Sequence, residues 1–293
     1  MSLPEHFTII GLGGCGKTLL HRICQHDWFL ENYLTDGHDL DLYTIDSATS
    51  EVIGKADSEI SDYSDIFDAP DRGYKDIGDE RKIELLKDHI RELKKNKTGT
   101  GRIECYKHVC LSAHASISNI KDLKTPDTIA QIKAIYGSDY VWWLEDKANG
   151  IKYENILKQN PKLELATSNG VYRMRGVAKA AFIKAINTPE TQFPAFGNGH
   201  TIALIVGLGG GTGSGMFIDL ARILREKGHT IWLFGVLPSA LENPVEKGNA
   251  AIALTELEYL NVTSSEKLFH HIILTSLDGT GFPKSITAVC WKD

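Results

Sequence analysis

Two glycine-rich stretches carry most of the chemistry legible in this sequence. The first, Gly11-Leu12-Gly13-Gly14-Cys15-Gly16-Lys17-Thr18, follows the short apolar run Phe7-Thr8-Ile9-Ile10 and leads into a predicted helix over 17–26. The second, Gly209-Gly210-Gly211-Thr212-Gly213-Ser214-Gly215, follows an apolar run over 201–206 and opens a predicted helix over 216–225. A strand, a glycine loop and a helix in that order aim backbone N–H groups and the positive end of a helix at one spot. Glycine lets a ligand approach the chain closely there, and a phosphate is the natural occupant.

The first loop fits two patterns. Gly11, Gly13 and Gly16 satisfy the dinucleotide fingerprint G-x-G-x-x-G, while residues 11–18 satisfy the Walker A pattern G-x-x-x-x-G-K-[ST]. Both place a phosphate at Gly13, Gly14, Cys15 and Gly16. Two readings of Lys17 stay open: a phosphate ligand, or a residue on a solvated helix turn. The second loop separates the alternatives, because a dinucleotide enzyme or a P-loop ATPase needs only one such loop. Two loops on separate strands grip phosphates from two sides, and the hydroxyls of Thr212 and Ser214 add donors. On this reading Gly211→Val blocks the nucleotide and leaves the fold largely intact.

The elements that must position these loops alternate. Strands are predicted over 7–10, 40–45, 201–206, 230–237 and 272–277, and helices over 17–26, 175–186, 216–225 and 246–260. Apolar strands alternating with helices imply a parallel sheet covered on both faces, an α/β, Rossmann-like three-layer fold. Residues 51–164 break that rhythm. They are polar, acidic over 57–71, and contain one clear amphipathic helix over 80–95, with Ile83, Leu86, Ile90 and Leu93 at helical spacing. A dense apolar run over 140–144 reads as a buried strand. The expected organisation is a discontinuous nucleotide-binding domain, 1–50 with 165–293, and an inserted mixed, mostly helical subdomain, 51–164.

Charge and cysteine content narrow the class. The net charge of −6 and the lack of a basic stripe exclude an obvious nucleic-acid binder. Five scattered cysteines, no visible leader and no long apolar run predict a cytoplasmic protein without membrane attachment. The histidines show no metal-ligand spacing.

With these residues in view, the sequence resembles the tubulin/FtsZ superfamily. Residues 209–215 match its G-G-G-T-G-[ST]-G loop, and Gly13-Gly14-Cys15-Gly16 resembles the G-Q-C-G of tubulins. Val236-Leu237-Pro238-Ser239, then Glu246 and Asn249-Ala250, is similar to the family's V-V-P-S…E-x-x-N-A stretch. Ser168-Asn169-Gly170-Val171 with Arg173 and Arg175 resembles its γ-phosphate-sensing loop, in the G-x-x-R-x-x-G form of the large bacterial members.

The resemblance implies GTP or GDP with Mg²⁺, self-assembly into an oligomer or filament, and GTPase activity completed by a neighbour's acidic loop. It implies that Asp46 stands near the nucleotide, that Glu246 meets the ribose, and that Asn169 and Gly170 approach the γ-phosphate. Asp278 is placed to read guanine, or simply forms an Asp-Gly turn. Three departures stand out: Lys17-Thr18 in place of an amide-bearing pair, the long span between Asp46 and Ser168, and a chain end near the start of the family's central helix, with no acidic loop in view. A P-loop NTPase using Lys17, Thr18 and Asp46, a dinucleotide enzyme and a non-hydrolysing nucleotide-binding module remain the alternatives.

Overall fold

A computed structural model describes residues 4–48, 62–67, 77–96, 99–114, 170–188, 199–276, 278 and 287–290, with a few positions between 127 and 152. The expected strand over 140–144 lies outside these residues, as do Ser168 and Asn169.

The sheet is built from β1 (His6–Leu12), β2 (Asp39–Asp46), β3 (Arg102–Cys105), β4 (Val109–Cys110), β7 (Thr201–Gly207), β8 (Thr230–Leu237), β9 (His271–Ser276) and β10 (Thr287–Cys290). A separate two-stranded pair joins β5 (Lys147–Ala148) and β6 (Ile151–Lys152). The main order is β10-β9-β8-β7-β1-β2-β3, with β4 also on β2, and all pairings are parallel except β10 on β9. β1 is central, with Ile9 opposite Leu42 on one side and Ala203 on the other. The chain therefore leaves β1 toward β2 and returns on its other side at β7. Such a reversal opens a crevice at the carboxyl ends of the two strands.

Period-two alternation decides the two faces. Ile10, Leu12, Ile202, Leu204 and Val206 pack with α5 (Arg175–Ile186), α6 (Thr212–Glu226) and α7 (Pro244–Glu258). Phe7, Ile9, Ala203 and Ile205 pack with α1 (Gly13–Cys24), α2 (Asp27–Asp36) and α3 (Asp79–Lys95). A short turn, α4 (Leu111–His114), follows β4. Among the described residues, no helix is long and apolar enough to cross a membrane.

The expected domain boundary needs one correction. β3 and β4 come from the span assigned to an insertion, yet both pair with β2 in the main sheet. α3 covers the same sheet through Ile83, Leu85, Leu86 and Ile90. The main domain therefore includes 77–96 and 99–110. Its polar composition hid this, because one face of α3 is solvated and β3 is only four residues long.

Candidate functional site

Both glycine loops open at the switch point, at the ends of the adjacent strands β1 and β7. α1 begins at Gly13 and α6 at Thr212, and each brings an unpaired helix N-terminus to the same place. Between them lies a cleft of about 480 Å³ lined by Leu12, Gly13, Gly14, Cys15, Asp46, Ala48, residues 170–173, Gly207 and residues 210–213. That volume is in the range of small-ligand sites.

The glycines divide into two groups. A Cβ on Gly14 would meet nothing within 4 Å, and one on Gly210 would meet only Gly207 O at 3.4 Å. These two leave the cleft floor bare. The others let backbones touch. A Cβ on Gly13 would lie 2.9 Å from Gly213 N, and one on Gly213 would lie 2.6 Å from Leu12 O. One on Gly16 would overlap Ile205 O, and one on Gly215 would lie 2.6 Å from Arg175 O. Glycine density thus brings α1 and α6 end to end as much as it exposes N–H groups. Gly211 belongs to the packing group, with an added Cβ 2.7 Å from Arg173 Cα and Val171 Cγ2. The expectation that Gly211→Val spares the fold is therefore corrected.

The third wall is the turn over 170–173. Gly170, Tyr172 and Arg173 all have positive φ, at 89°, 50° and 63°. Two non-glycine residues in this region store strain that the surroundings must hold in place. Asn249 on α7 does so: its Nδ2 donates to Arg173 O at 2.8 Å, Gly209 O at 3.1 Å and Gly210 O at 3.2 Å. One amide thus ties the turn to the second loop. Arg175 braces the same helix start from below, donating Nε and Nη2 to Ser214 O and pairing with Glu256.

Asp46 ends β2 at the cleft. Its Oδ1 accepts from Ser47 N at 2.7 Å and its Oδ2 lies 2.8 Å from Lys17 Nζ. Burial alone would raise its pKa. The Lys17 ammonium, with help from His108 and the Ser47 N–H, outweighs that and holds the carboxyl below the usual range. Ser47 Oγ in turn meets Thr212 Oγ1 at 2.6 Å, joining the first half of the site to the second. Cys15, exposed at the cleft, presents an uncharged thiol to it at pH 7.

Several expected site residues stand elsewhere. Lys17 is fully buried behind the loop, between Asp46 and Asp79 Oδ2 at 2.9 Å, and does not line the cleft. Thr18 donates its hydroxyl to Gly14 O at 2.8 Å. Neither residue stands as a P-loop pair would: the Lys17 ammonium is held on carboxylates behind the loop, and Thr18 is not among the residues that line the cleft. Gly16, Gly209 and Ser214 lie behind the lining residues. Glu246 accepts from Asn243 N at 3.0 Å in a capping box on α7 and pairs with Arg173 Nη2 at 2.6 Å. Asp278 accepts from Ala240 N at 2.6 Å and is not part of the cleft wall.

Sequence reasoning named Gly13, Gly14, Cys15, Asp46, Gly170 and residues 210–213, which do converge on the cleft. It missed Tyr172 as a wall and Ser47 as a bridge. It also missed the clamp role of Asn249, whose only sequence signal was its place in the E-x-x-N-A stretch.

The second loop, the left-handed turn and the capping box share one segment of chain. The family model described as "Tubulin like" matches residues 158–278. The recognition of the tubulin/FtsZ superfamily is borne out over that span. Among solved structures, CetZ from Methanosaeta thermophila strain DSM 6194 is 16% identical with a TM-score of 0.43, covering 92% of this chain and 45% of its own. CetZ1 from Haloferax volcanii, a GDP-bound monomer, is 14% identical with a TM-score of 0.40, covering 94% and 53%. TubZ from Bacillus thuringiensis serovar israelensis, a GTPγS-form protofilament, is 13% identical with a TM-score of 0.35, covering 94% and 49%. The chain spans about half the length of these tubulin-like proteins. No curated protein matches it.

Proposed function

We propose that this cleft binds a nucleoside triphosphate, GTP, with its phosphates between the two helix N-termini. The observation that carries the reading is the convergence of α1 and α6 on one crevice whose floor, at Gly14 and Gly210, has no side chain. Phosphate oxygens accept from the free N–H groups there, and both helix ends favour negative charge. The tubulin-like match supports guanine as the base. An Mg²⁺ ion fits beside the Asp46 carboxylate and the Thr212 hydroxyl, the hard oxygen side-chain donors of the lining. When bound, the ion would neutralise phosphate charge as bond cleavage begins.

The module assembles with copies of itself, and a neighbour's acidic loop supplies the water-positioning group for hydrolysis. This part of the proposal rests on the family resemblance. Calorimetry with GTP, ATP and NAD tests the core of it. Micromolar binding of GTP is the expected outcome. Tight binding of NAD alone, or a clear preference for ATP, refutes the reading.

A further inference from the structure

Behind the first glycine loop sits a set of buried charges that phosphate binding itself does not use. Asp79 opens α3, a helix far from the loop in sequence. Its Oδ2 lies 2.9 Å from Lys17 Nζ and 3.5 Å from His108 Nε2, and its Oδ1 lies 3.6 Å from Lys82 Nζ. Lys17 Nζ lies 2.8 Å from Asp46 Oδ2. Lys17, Asp46, Asp79, Lys82 and His108 are all at most 4% exposed. Placing two ammonium and two carboxylate groups in a sheet–helix interface carries a large desolvation cost, and apolar residues would close that interface more cheaply. The arrangement therefore calls for a use.

The geometry supplies one. Among these groups, Asp46 alone also lines the cleft. A carboxylate buried on a single lysine is locked, because leaving would strand an uncompensated charge. Lys17 has a second carboxylate at 2.9 Å that stays in place when Asp46 turns. We infer that Asp79 is a positioning residue of the nucleotide cleft: by holding Lys17, it lets the Asp46 carboxylate swing from Lys17 onto a divalent cation bound with the phosphates. The inference rests on the nucleotide reading above. It also gives α3 a reason to carry Asp79 and Lys82 on its buried face, since Lys82 balances the carboxylate that Lys17 shares. His108, kept neutral by burial and fixed on Thr44 Oγ1 at 2.8 Å, closes the far side of the set.

The test measures GTP affinity by calorimetry in Mg²⁺ and in EDTA, and takes the ratio as the metal enhancement. Three proteins are compared: wild type, the charge-balanced double variant Asp79→Asn/Lys82→Gln, and Lys17→Gln, each checked for folding by circular dichroism. In the double variant, Asp46 is left to neutralise Lys17. Its affinity in EDTA should stay near wild type while the enhancement falls about tenfold or more, the scale of lost outer-shell support for a metal ligand. In Lys17→Gln the Asp46 carboxylate is released, and the enhancement should be retained or increased. A loss in one variant beside retention or gain in its neighbour is not what a purely structural role produces. An unchanged enhancement in the double variant overturns the inference, as does an equal loss in EDTA and Mg²⁺ in both variants. If one variant fails to fold, the other decides. Wild type that binds GTP equally with and without Mg²⁺ overturns the inference and leaves the nucleotide reading standing. Wild type that binds no nucleoside triphosphate overturns both.

Discussion

Gly14 and Gly16 stand two residues apart in the same loop, and the structure gives them opposite tolerances. An added Cβ on Gly14 meets open space, whereas one on Gly16 collides with the Ile205 carbonyl on β7. Gly14 lies in the first turn of α1, so its helix propensity counts. Valine is less unfavourable in a helix than glycine by a few tenths of a kcal/mol, and alanine by up to about 1 kcal/mol. Gly14→Val should therefore change stability by less than about 1 kcal/mol, and Gly14→Ala should be neutral or stabilising. On a domain of this size that is a shift of only about 2–4 °C in Tm. The branched side chain fills the cleft floor where phosphate oxygens must approach, so GTP affinity should fall at least about a hundredfold, near 2.7 kcal/mol. Gly16→Val has no such freedom. Its Cβ must separate α1 from β7, and overpacking of this kind costs about 1–3 kcal/mol or more. Thermal melts and calorimetry on the two variants decide the matter. A folded Gly14→Val protein that binds GTP normally would refute the placement of phosphate on this floor. A Gly16→Val protein with wild-type stability would refute the packing argument.

Three further outcomes are expected. Asn249→Ala should destabilise by about 2 kcal/mol, since the buried carbonyl of Gly209 and the partly buried ones of Arg173 and Gly210 lose a shared donor, and urea unfolding with a parallel GTP titration should show stability and affinity falling together. Lys17→Gln should cost about 3–5 kcal/mol by leaving buried carboxylates uncompensated, yet it should still bind GTP when folded, and complete loss of binding in a folded variant would restore the P-loop reading. Acid should destabilise the protein well above the carboxylate range: His108 and His21 are held neutral by burial, down to about 4 and about 3, so the unfolded chain takes up protons first. Stability is then lost as pH falls from about 6.5, by about 2 kcal/mol for each histidine at pH 5. Urea midpoints at pH 7.5 and pH 5 check this, and His108→Gln should remove part of the difference. The Asp46 contribution is lost only below about pH 4, as its depressed carboxyl is protonated.

The strands and the two loops were legible because period and composition mark them locally. The apolar runs before Gly11 and Gly207 and the glycines after them leave little else for the backbone to do. What the sequence hid was pairing at long range. Lys82 fell on the polar side of the predicted helix over 80–95 and Asp79 just ahead of it, and their burial is tied to Lys17, sixty-two positions upstream of Asp79. Of the two readings of Lys17, the solvated helix turn is the one its complete burial contradicts, and no local pattern tells a phosphate-bound lysine from one buried on carboxylates. The glycines were over-read in one direction. Composition cannot separate a glycine that admits a ligand, such as Gly14, from one that admits a neighbouring backbone, such as Gly213. Glu246 was found by its place in a family stretch, but its bonds to Asn243 N and Arg173 make it a brace for the turn over 170–173.

The close approach of the two helix starts, with Gly13 set against Gly213, has an electrostatic consequence. Each N-terminus carries roughly half an elementary positive charge. Two like poles in near contact repel, and glycine packing forces them together regardless. An anion between them turns that repulsion into a bridge. On the proposed phosphate reading, the stability of the domain should therefore depend on the anion its solvent supplies, and pyrophosphate, lacking any base or sugar, should raise its Tm.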